Sequence, residues 1–192
     1  SKEGSILVNN VLMIVVCATV FLGTIYPLIV EILSNNKISV GEPYYNSTVI
    51  PIIIPAIIIM GIGPFLSWGK ENKIETIKKI APSFVLTFFS TMLFFFFYKS
   101  YSFTGVIGIV LALWIIFNNL TIIFQKKINQ PYGMIIAHLG IGLLILGITG
   151  STVWQKEKIV RMNINKEINI NNYNIVFKEI KAITKSNYVA LR

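Results

Sequence analysis

The chain has 192 residues, of which 54% are hydrophobic and only 13% are charged. A soluble domain carries about 25% charged residues, so this composition excludes a soluble globular protein and indicates an integral membrane protein. The formal net charge is +9, which we attribute to basic loops, so no nucleic-acid partner is expected. The sequence contains no Asp, which excludes a Ser-His-Asp triad, and it contains no Walker or Rossmann motif.

Five long apolar stretches precede the C-terminal region. They cover residues 6–33, 49–68, 80–98, 105–124 and 132–154. Each supplies about the 20 residues that an α-helix needs to cross a bilayer, and helices are expected because lipid offers no partners for free backbone groups. Pro27 and Pro64 are predicted to bend helix ends, and Pro51 to lie near the start of the second helix. The expected fold is therefore that of an all-α polytopic membrane protein.

The loops between these stretches differ in charge. One set of loops holds seven lysines and the other only two. The seven are Lys2, Lys70, Lys73, Lys78, Lys79, Lys126 and Lys127, and the two are Lys37 and Lys99. Because basic loops stay on the cytoplasmic side of a membrane, the first set is predicted to be cytoplasmic. With five crossings, the chain then continues on the outer side after the fifth helix.

The composition changes after Trp154. Residues 155–192 alternate between apolar and polar side chains, which is typical of half-buried strands, and Asn171-Asn172 suits a tight turn. Three or four short strands are therefore expected. Four apolar residues are predicted to pack on one side: Ile164, Ile170, Ile175 and Phe177. The chain thus divides into a transmembrane region at 1–154 and a small, incomplete extracytoplasmic β region at 155–192.

The single histidine of the chain, His138, lies in the fifth apolar stretch. From Tyr132 to Val153 there is no Asp, Glu, Lys or Arg, and an ionisable side chain at membrane depth usually faces a partner, a cofactor or a cavity. Imidazole is a common metal ligand, but it can equally donate a structural hydrogen bond to a neighbouring helix. Gly142, one turn further on the same face, leaves room for a flat cofactor or for a helix. The residues alone leave both interpretations of His138 open.

Several short motifs occur in a set order along the chain. They are Ser1-Lys-Glu-Gly with Asn9-Asn10, Gly23-Thr-Ile-Tyr-Pro27, Lys37-Ile-Ser-Val-Gly-Glu-Pro-Tyr-Tyr-Asn46, Gly61-Ile-Gly-Pro64 ahead of Trp68, Ala137-His-Leu-Gly140, Gly147-Ile-Thr and Arg161-Met162. In order and spacing they resemble the C-terminal part of the CcmF family, the haem lyase subunits of the cytochrome c maturation (Ccm) system. The resemblance extends over nearly the whole chain.

The resemblance implies a haem lyase, which takes haem from a haem chaperone and attaches it to CxxCH motifs of apocytochrome c. It also implies that His138 is one axial ligand of a membrane haem b that reduces the substrate haem. The family's second histidine ligand is not in this chain, so the rest of the protein must supply it, and the chain is expected to be an excerpt or a split subunit.

The same resemblance implies further partners and a location. The implied partners are the haem chaperone, apocytochrome c, the thiol-handling Ccm subunits and the lipid bilayer. The implied location is the bacterial inner membrane, or the mitochondrial inner membrane, with the C-terminal tail of this chain in the periplasm.

One alternative function accompanies this interpretation. It is a membrane transporter or scaffold subunit with a purely structural His138. Internal repeats and paired broken helices, which transporters often show, are not evident in the sequence.

A second candidate site is the outer loop at 34–48, which contains Gly41-Glu-Pro-Tyr-Tyr. This loop is a further candidate site that would contact apocytochrome or the haem pocket, or it would only place its tyrosines at headgroup level.

Overall fold

The computed structural model describes residues 1–70, 72–98, 102–125, 130–155, 157–170, 173–180, 182–184 and 189–191. The chain divides into two compact units, Ser1–Val153 and Trp154–Arg192. The first unit contains helices and the second contains short strands.

Within the described residues, the first unit consists of five α-helices, which confirms the predicted fold class. They are α1 (Lys2–Ser34), α2 (Glu42–Ile62), α3 (Lys73–Phe97), α4 (Phe103–Phe124) and α5 (Tyr132–Val153), with a 3-10 turn at Gly63–Phe65 directly after α2. All five are long and apolar enough to cross a membrane. The chain is therefore a multi-pass membrane protein.

The first three helices begin earlier than the apolar stretches indicate, because their first turns contain polar residues, and in α1 and α3 a polar side chain also caps the start. The Ser1 side chain accepts a hydrogen bond from the Gly4 backbone N–H at 3.4 Å and caps α1. The Asn72 side chain accepts one from the Ile74 N–H at 3.2 Å and caps α3. Both side chains satisfy donors that a helix start leaves without a partner.

Two of the three prolines lie elsewhere than predicted. Pro51 lies inside α2, so its predicted place near a helix start is wrong; α2 begins at Glu42, with Pro43 in its first turn. Pro27 lies inside α1, a full turn or more before the helix ends. Pro64 lies in the 3-10 turn that ends α2, as its predicted effect on a helix end requires.

Helix α4 is the centre of the bundle. It packs against α2, α3 and α5, while α1 packs against α2. Ala112 and Ile115 of α4 are completely buried. Close approach of α4 and α5 depends on Gly142, where an added Cβ would lie 2.7 Å from Cγ1 of Ile116. Small residues allow membrane helices to approach in this way.

Polar side chains join α3 to α4. The Ser83 hydroxyl donates to Oγ1 of Thr121 at 2.7 Å in a buried contact. Near the end of α4, Nε2 of Gln125 donates to the Lys79 carbonyl oxygen at 3.1 Å. These bonds fix two helices that would otherwise contact each other only through apolar side chains.

The second unit contains four short strands within its described residues. Strand β1 (Glu167–Ile170) pairs antiparallel with β2 (Tyr173–Val176), and β3 (Ala182–Thr184) pairs antiparallel with β4 (Val189–Leu191). This confirms the predicted short strands. The predicted turn at Asn171-Asn172 lies outside the described residues.

The predicted packing side of the tail is only partly present. In the first hairpin Ile168 lies opposite Ile175, and Ile168, Ile170 and Phe177 are half-buried. The register places Ile175 on the same face as Ile168 and Ile170, as predicted. Ile164 and Ile175 are nevertheless 54% and 48% exposed, so their predicted burial is wrong. A two-stranded ribbon has no second layer, so it cannot cover one whole face.

Candidate functional site

His138 lies in the second turn of α5 and is half-buried. Its Nδ1 atom is completely buried and has no hydrogen-bond partner among the described residues. A buried polar atom without a partner is costly in a protein interior. The structural interpretation of this histidine requires a neighbouring helix to accept a hydrogen bond, and no described residue accepts one from Nδ1.

The start of α5 is fixed to the end of α2. The Gln130 side chain, just before α5, donates from Nε2 to the Pro64 carbonyl oxygen at 2.8 Å. The Met134 backbone N–H donates to the Pro131 carbonyl oxygen at 3.1 Å and begins the helix. These contacts place His138 beside the 3-10 turn that follows α2.

His138 lines a cavity of about 280 Å³ between α1, α2 and α5. The residues around it are Lys2, Ser5, Ile6 and Asn9 of α1, Ile59 and Met60 of α2, Gly63 and Pro64 of the 3-10 turn, and Met134 and His138 of α5. The α2 wall is apolar, whereas the α1 wall carries an ammonium, a hydroxyl and an amide. The cavity is therefore polar on one side, and we call it the His138 cavity.

The α1 wall of the His138 cavity is held in place by the segment between α2 and α3. The Lys2 backbone N–H donates to the Ser67 carbonyl oxygen at 3.0 Å, and the Gly69 N–H donates to Oε1 of Glu3 at 2.9 Å. The Lys2 ammonium lies 5.2 Å from the centroid of the Trp68 ring, within the range of a cation–π contact. The N-terminal turn of α1 is thus fixed to the end of the cavity.

The chemistry of the cavity matches a cofactor that brings most of its own ligands. Among the described residues, no group of three or more His, Cys, Asp or Glu side chains is placed to hold a bare metal ion. Haem iron already has four porphyrin nitrogens and takes only one or two axial ligands from protein. The single imidazole of His138 on the cavity wall fits the requirement for one axial ligand, and the cavity offers both an apolar and a polar wall.

The second candidate site, the loop at 34–48, forms a separate cavity. It has a volume of about 780 Å³ and is lined by α1, the loop and the start of α2, including Tyr26 and Tyr44. The Tyr44 hydroxyl donates to the Thr19 carbonyl oxygen at 3.2 Å, and its ring contacts that of Tyr45 edge-on. A Cβ at Gly23 would meet the Tyr44 ring at 2.6 Å. Tyr44 therefore packs onto α1 instead of projecting from the loop.

The structure does not bring the two candidate sites together. The loop site adjoins the start of α2, and the His138 cavity adjoins its end. Helix α2 has 21 residues, so at 1.5 Å per residue the two sites lie about 30 Å apart. They are on opposite sides of the membrane if α2 crosses it.

The polar wall of the His138 cavity is the part of the site that the sequence did not reveal. Lys2, Ser5 and Asn9 are spaced three and four residues apart, which places them on one helix face. That spacing was available as a signal, but the first apolar stretch begins only at residue 6. From the sequence alone, Lys2 therefore indicates only the orientation of the chain in the membrane.

Comparison with known proteins gives relatives of one kind. Cytochrome c-type biogenesis protein CcmF of Escherichia coli (strain K12) is 32% identical over 199 residues, covering 98% of this chain and 30% of that protein. Cytochrome c-type biogenesis protein CycK of Rhizobium meliloti (strain 1021) is 25% identical, covering 98% and 30%. CcmF of Haemophilus influenzae is 27% identical, covering 98% and 31%.

The chain spans about 30% of the length of these curated relatives. No family model matches the chain, and no solved structure matches it. The relatives nevertheless confirm the predicted resemblance, because the matched region includes nearly every residue of the chain. The chain corresponds to the C-terminal part of the CcmF-type cytochrome c-type biogenesis proteins.

Proposed function

We propose that this chain is part of a cytochrome c haem lyase and that it supplies one axial ligand, His138, to a membrane haem b. The observation that carries the proposal is the position of His138 on the wall of the His138 cavity, in a helix without Asp, Glu, Lys or Arg. Its buried Nδ1 atom has no hydrogen-bond partner among the described residues. The relatives are cytochrome c-type biogenesis proteins, which supports a role in cytochrome c maturation.

The residues of the His138 cavity divide the work of holding such a group. His138 provides the directional bond to iron, Ile59 and Met60 provide apolar contact, and the α1 wall provides polar contact. When bound, haem b supplies electron transfer, which in this proposal keeps the iron of the substrate haem reduced. A second histidine comes from another part of the complete protein, because this chain contains only one.

The wider assignment follows the resemblance. In this proposal the complete protein lies in the bacterial inner membrane, or in the mitochondrial inner membrane, with residues 155–192 on the outer side. Its partners are a haem chaperone, apocytochrome c and the thiol-handling Ccm subunits. The excess of lysines in one set of loops supports the orientation.

The test is a His138→Ala variant of the complete protein, assayed for cytochrome c assembly in cells and for haem per polypeptide after purification. We expect loss of the haem, because the Leu, Ile and Gly side chains of α5 offer no iron ligand and the Met134 thioether lies one turn away from the position of the imidazole. Met134→Ala is the matched control, since Met134 lines the same cavity one turn earlier and is not a ligand in this proposal. Normal haem content and normal assembly in His138→Ala would overturn the proposal.

A further inference from the structure

Lys2 lies on the wall of the His138 cavity at a fixed position. Its side chain is half-buried, its ammonium lies 5.2 Å from the centroid of the Trp68 ring, and its backbone N–H is bonded to Ser67. An ammonium has three donors, and the ring face occupies only one side of it. The remaining side is available to a group in the cavity.

The charge of Lys2 has no carboxylate partner in the described part of the chain. The ion pair found there within 4.0 Å joins Lys37 to Glu31. Glu3, the next residue along α1, instead accepts the Gly69 N–H through Oε1. A fixed cation beside a cavity, with its neighbouring acid bonded elsewhere, is arranged to receive an anionic group from the cavity.

Two neutral polar residues extend the same surface. Ser5 and Asn9 follow Lys2 on the α1 face that lines the cavity, and both are half-buried. The positive charge is at the end of the cavity nearest the start of α1, while His138 lies about 9 Å along α5 from its own start, at 1.5 Å per residue. A molecule that fills this cavity contacts both the α1 wall with Lys2 and the imidazole of His138.

We propose that Lys2 binds the carboxylate edge of the molecule that His138 ligates. This inference rests on the proposed haem site, since haem carries two propionate carboxylates on one edge of the porphyrin and iron at its centre. An ammonium paired with a carboxylate near the aqueous boundary, and an imidazole on iron further inside, match the two ends of that molecule. Lys2 is a binding residue in this arrangement and takes no part in iron ligation.

The test compares haem with its dimethyl ester, in which both carboxylates are masked. The complete protein is stripped of haem, placed in nanodiscs of neutral lipid, and titrated with each compound by Soret absorbance. We expect Lys2→Gln to bind haem about tenfold more weakly, as for loss of one charge-assisted hydrogen bond. The unchanged protein should bind the ester about tenfold more weakly than haem, and Lys2→Gln should bind both alike.

Two further variants make the result specific. Lys2→Arg keeps the charge and should bind haem nearly as well as the unchanged protein. Lys37→Gln removes the same charge from the other set of loops, where Lys37 contacts Glu31, and should change nothing. A Lys2→Gln variant that still prefers haem over the ester by the original factor would overturn the inference.

The outcomes also separate this inference from the haem proposal and from lipid binding. If His138→Ala retains haem, the haem proposal fails whatever Lys2 does. If His138→Ala loses haem but Lys2→Gln binds it normally, only the role of Lys2 fails. The same titrations are repeated in nanodiscs that contain anionic lipid. If the Lys2→Gln defect appears there but not in neutral lipid, the ammonium binds a lipid phosphate, and the inference is likewise overturned.

Discussion

Nε2 of Gln130 donates a 2.8 Å hydrogen bond to the carbonyl oxygen of Pro64. This bond joins the residue before α5 to the 3-10 turn after α2, and the last carbonyls of a helix need such partners because they lack them within the helix. Pro64 and His138 both line the His138 cavity. The geometry of the cavity therefore depends on a side chain that is not part of its lining.

Replacing Gln130 by Ala should loosen the cavity without removing any residue that lines it. We expect a loss of about 1 kcal/mol in stability together with weaker haem retention. Gln125→Ala is the matched control, because Gln125 makes an equivalent bond to the Lys79 carbonyl oxygen at 3.1 Å between α3 and α4. Thermal unfolding and haem per polypeptide measure the two effects, and equal haem loss in both variants would contradict this account of Gln130.

Substitution by Ala should destabilise the helical unit at one glycine of α5 and leave its packing intact at another. At Gly142 a new Cβ would lie 2.7 Å from Ile116 and 3.4 Å from the Ala112 carbonyl oxygen, whereas at Gly140 nothing lies within 4 Å. Gly142→Ala should therefore destabilise the helical unit by about 1–3 kcal/mol.

Gly140→Ala should leave the packing of α4 on α5 intact, because the added Cβ meets nothing within 4 Å. It should not weaken α5 itself, because Ala favours helix more than Gly does. Unfolding of both variants in mixed detergent micelles gives the comparison. If Gly140→Ala separated α4 from α5 as strongly as Gly142→Ala, the described packing of α5 would be incorrect.

The proposed orientation predicts which residues a membrane-impermeant thiol reagent reaches from outside. In a Cys17→Ser background, a cysteine at Asn169 should be labelled in intact cells, because Asn169 lies in the exposed tail. A cysteine at Lys73 should be labelled only after the membrane is opened. The reverse pattern would place the lysine-rich loops outside and refute the orientation.

The length of the apolar stretches alone was enough to predict the helices, because each stretch has about the 20 residues that a helix needs to cross a bilayer. It was not enough to predict where helices begin. Lys2, Glu42 and Lys73 are polar and were assigned to loops, yet each is the first residue of a helix. Helix starts are set by caps and first-turn residues, which do not contribute to a hydropathy signal.

Of the residues in the candidate site, only His138 could be predicted from the sequence. His138 was found because an ionisable group in an apolar helix requires a reason. The cavity around it depends on which faces of α1, α2 and α5 meet, and no periodicity in the sequence specifies that. Asn118 and Asn119 of α4 are also buried, at 0% and 1% exposure. Their side-chain amides donate to carbonyl oxygens of their own helix, which no pattern in the sequence indicates.

In the tail, the strands could be predicted from the sequence, but the burial of their side chains could not. The alternation after Trp154 predicted strands, and register in the first hairpin places Ile168 opposite Ile175. Alternation does not say whether a second layer exists to cover the apolar face. Ile164 and Ile175 consequently remain exposed where packing was predicted.

The measurement that tests the central claim most directly is the haem spectrum of a His138→Gly variant of the complete protein, with and without added imidazole. The side chain is removed and its space is left open, so free imidazole can enter and bind iron in its place. We expect the low-spin Soret and α bands to be lost in the variant and to return as imidazole is added. A His138→Gly variant that keeps a full low-spin spectrum without imidazole would show that His138 does not ligate the haem.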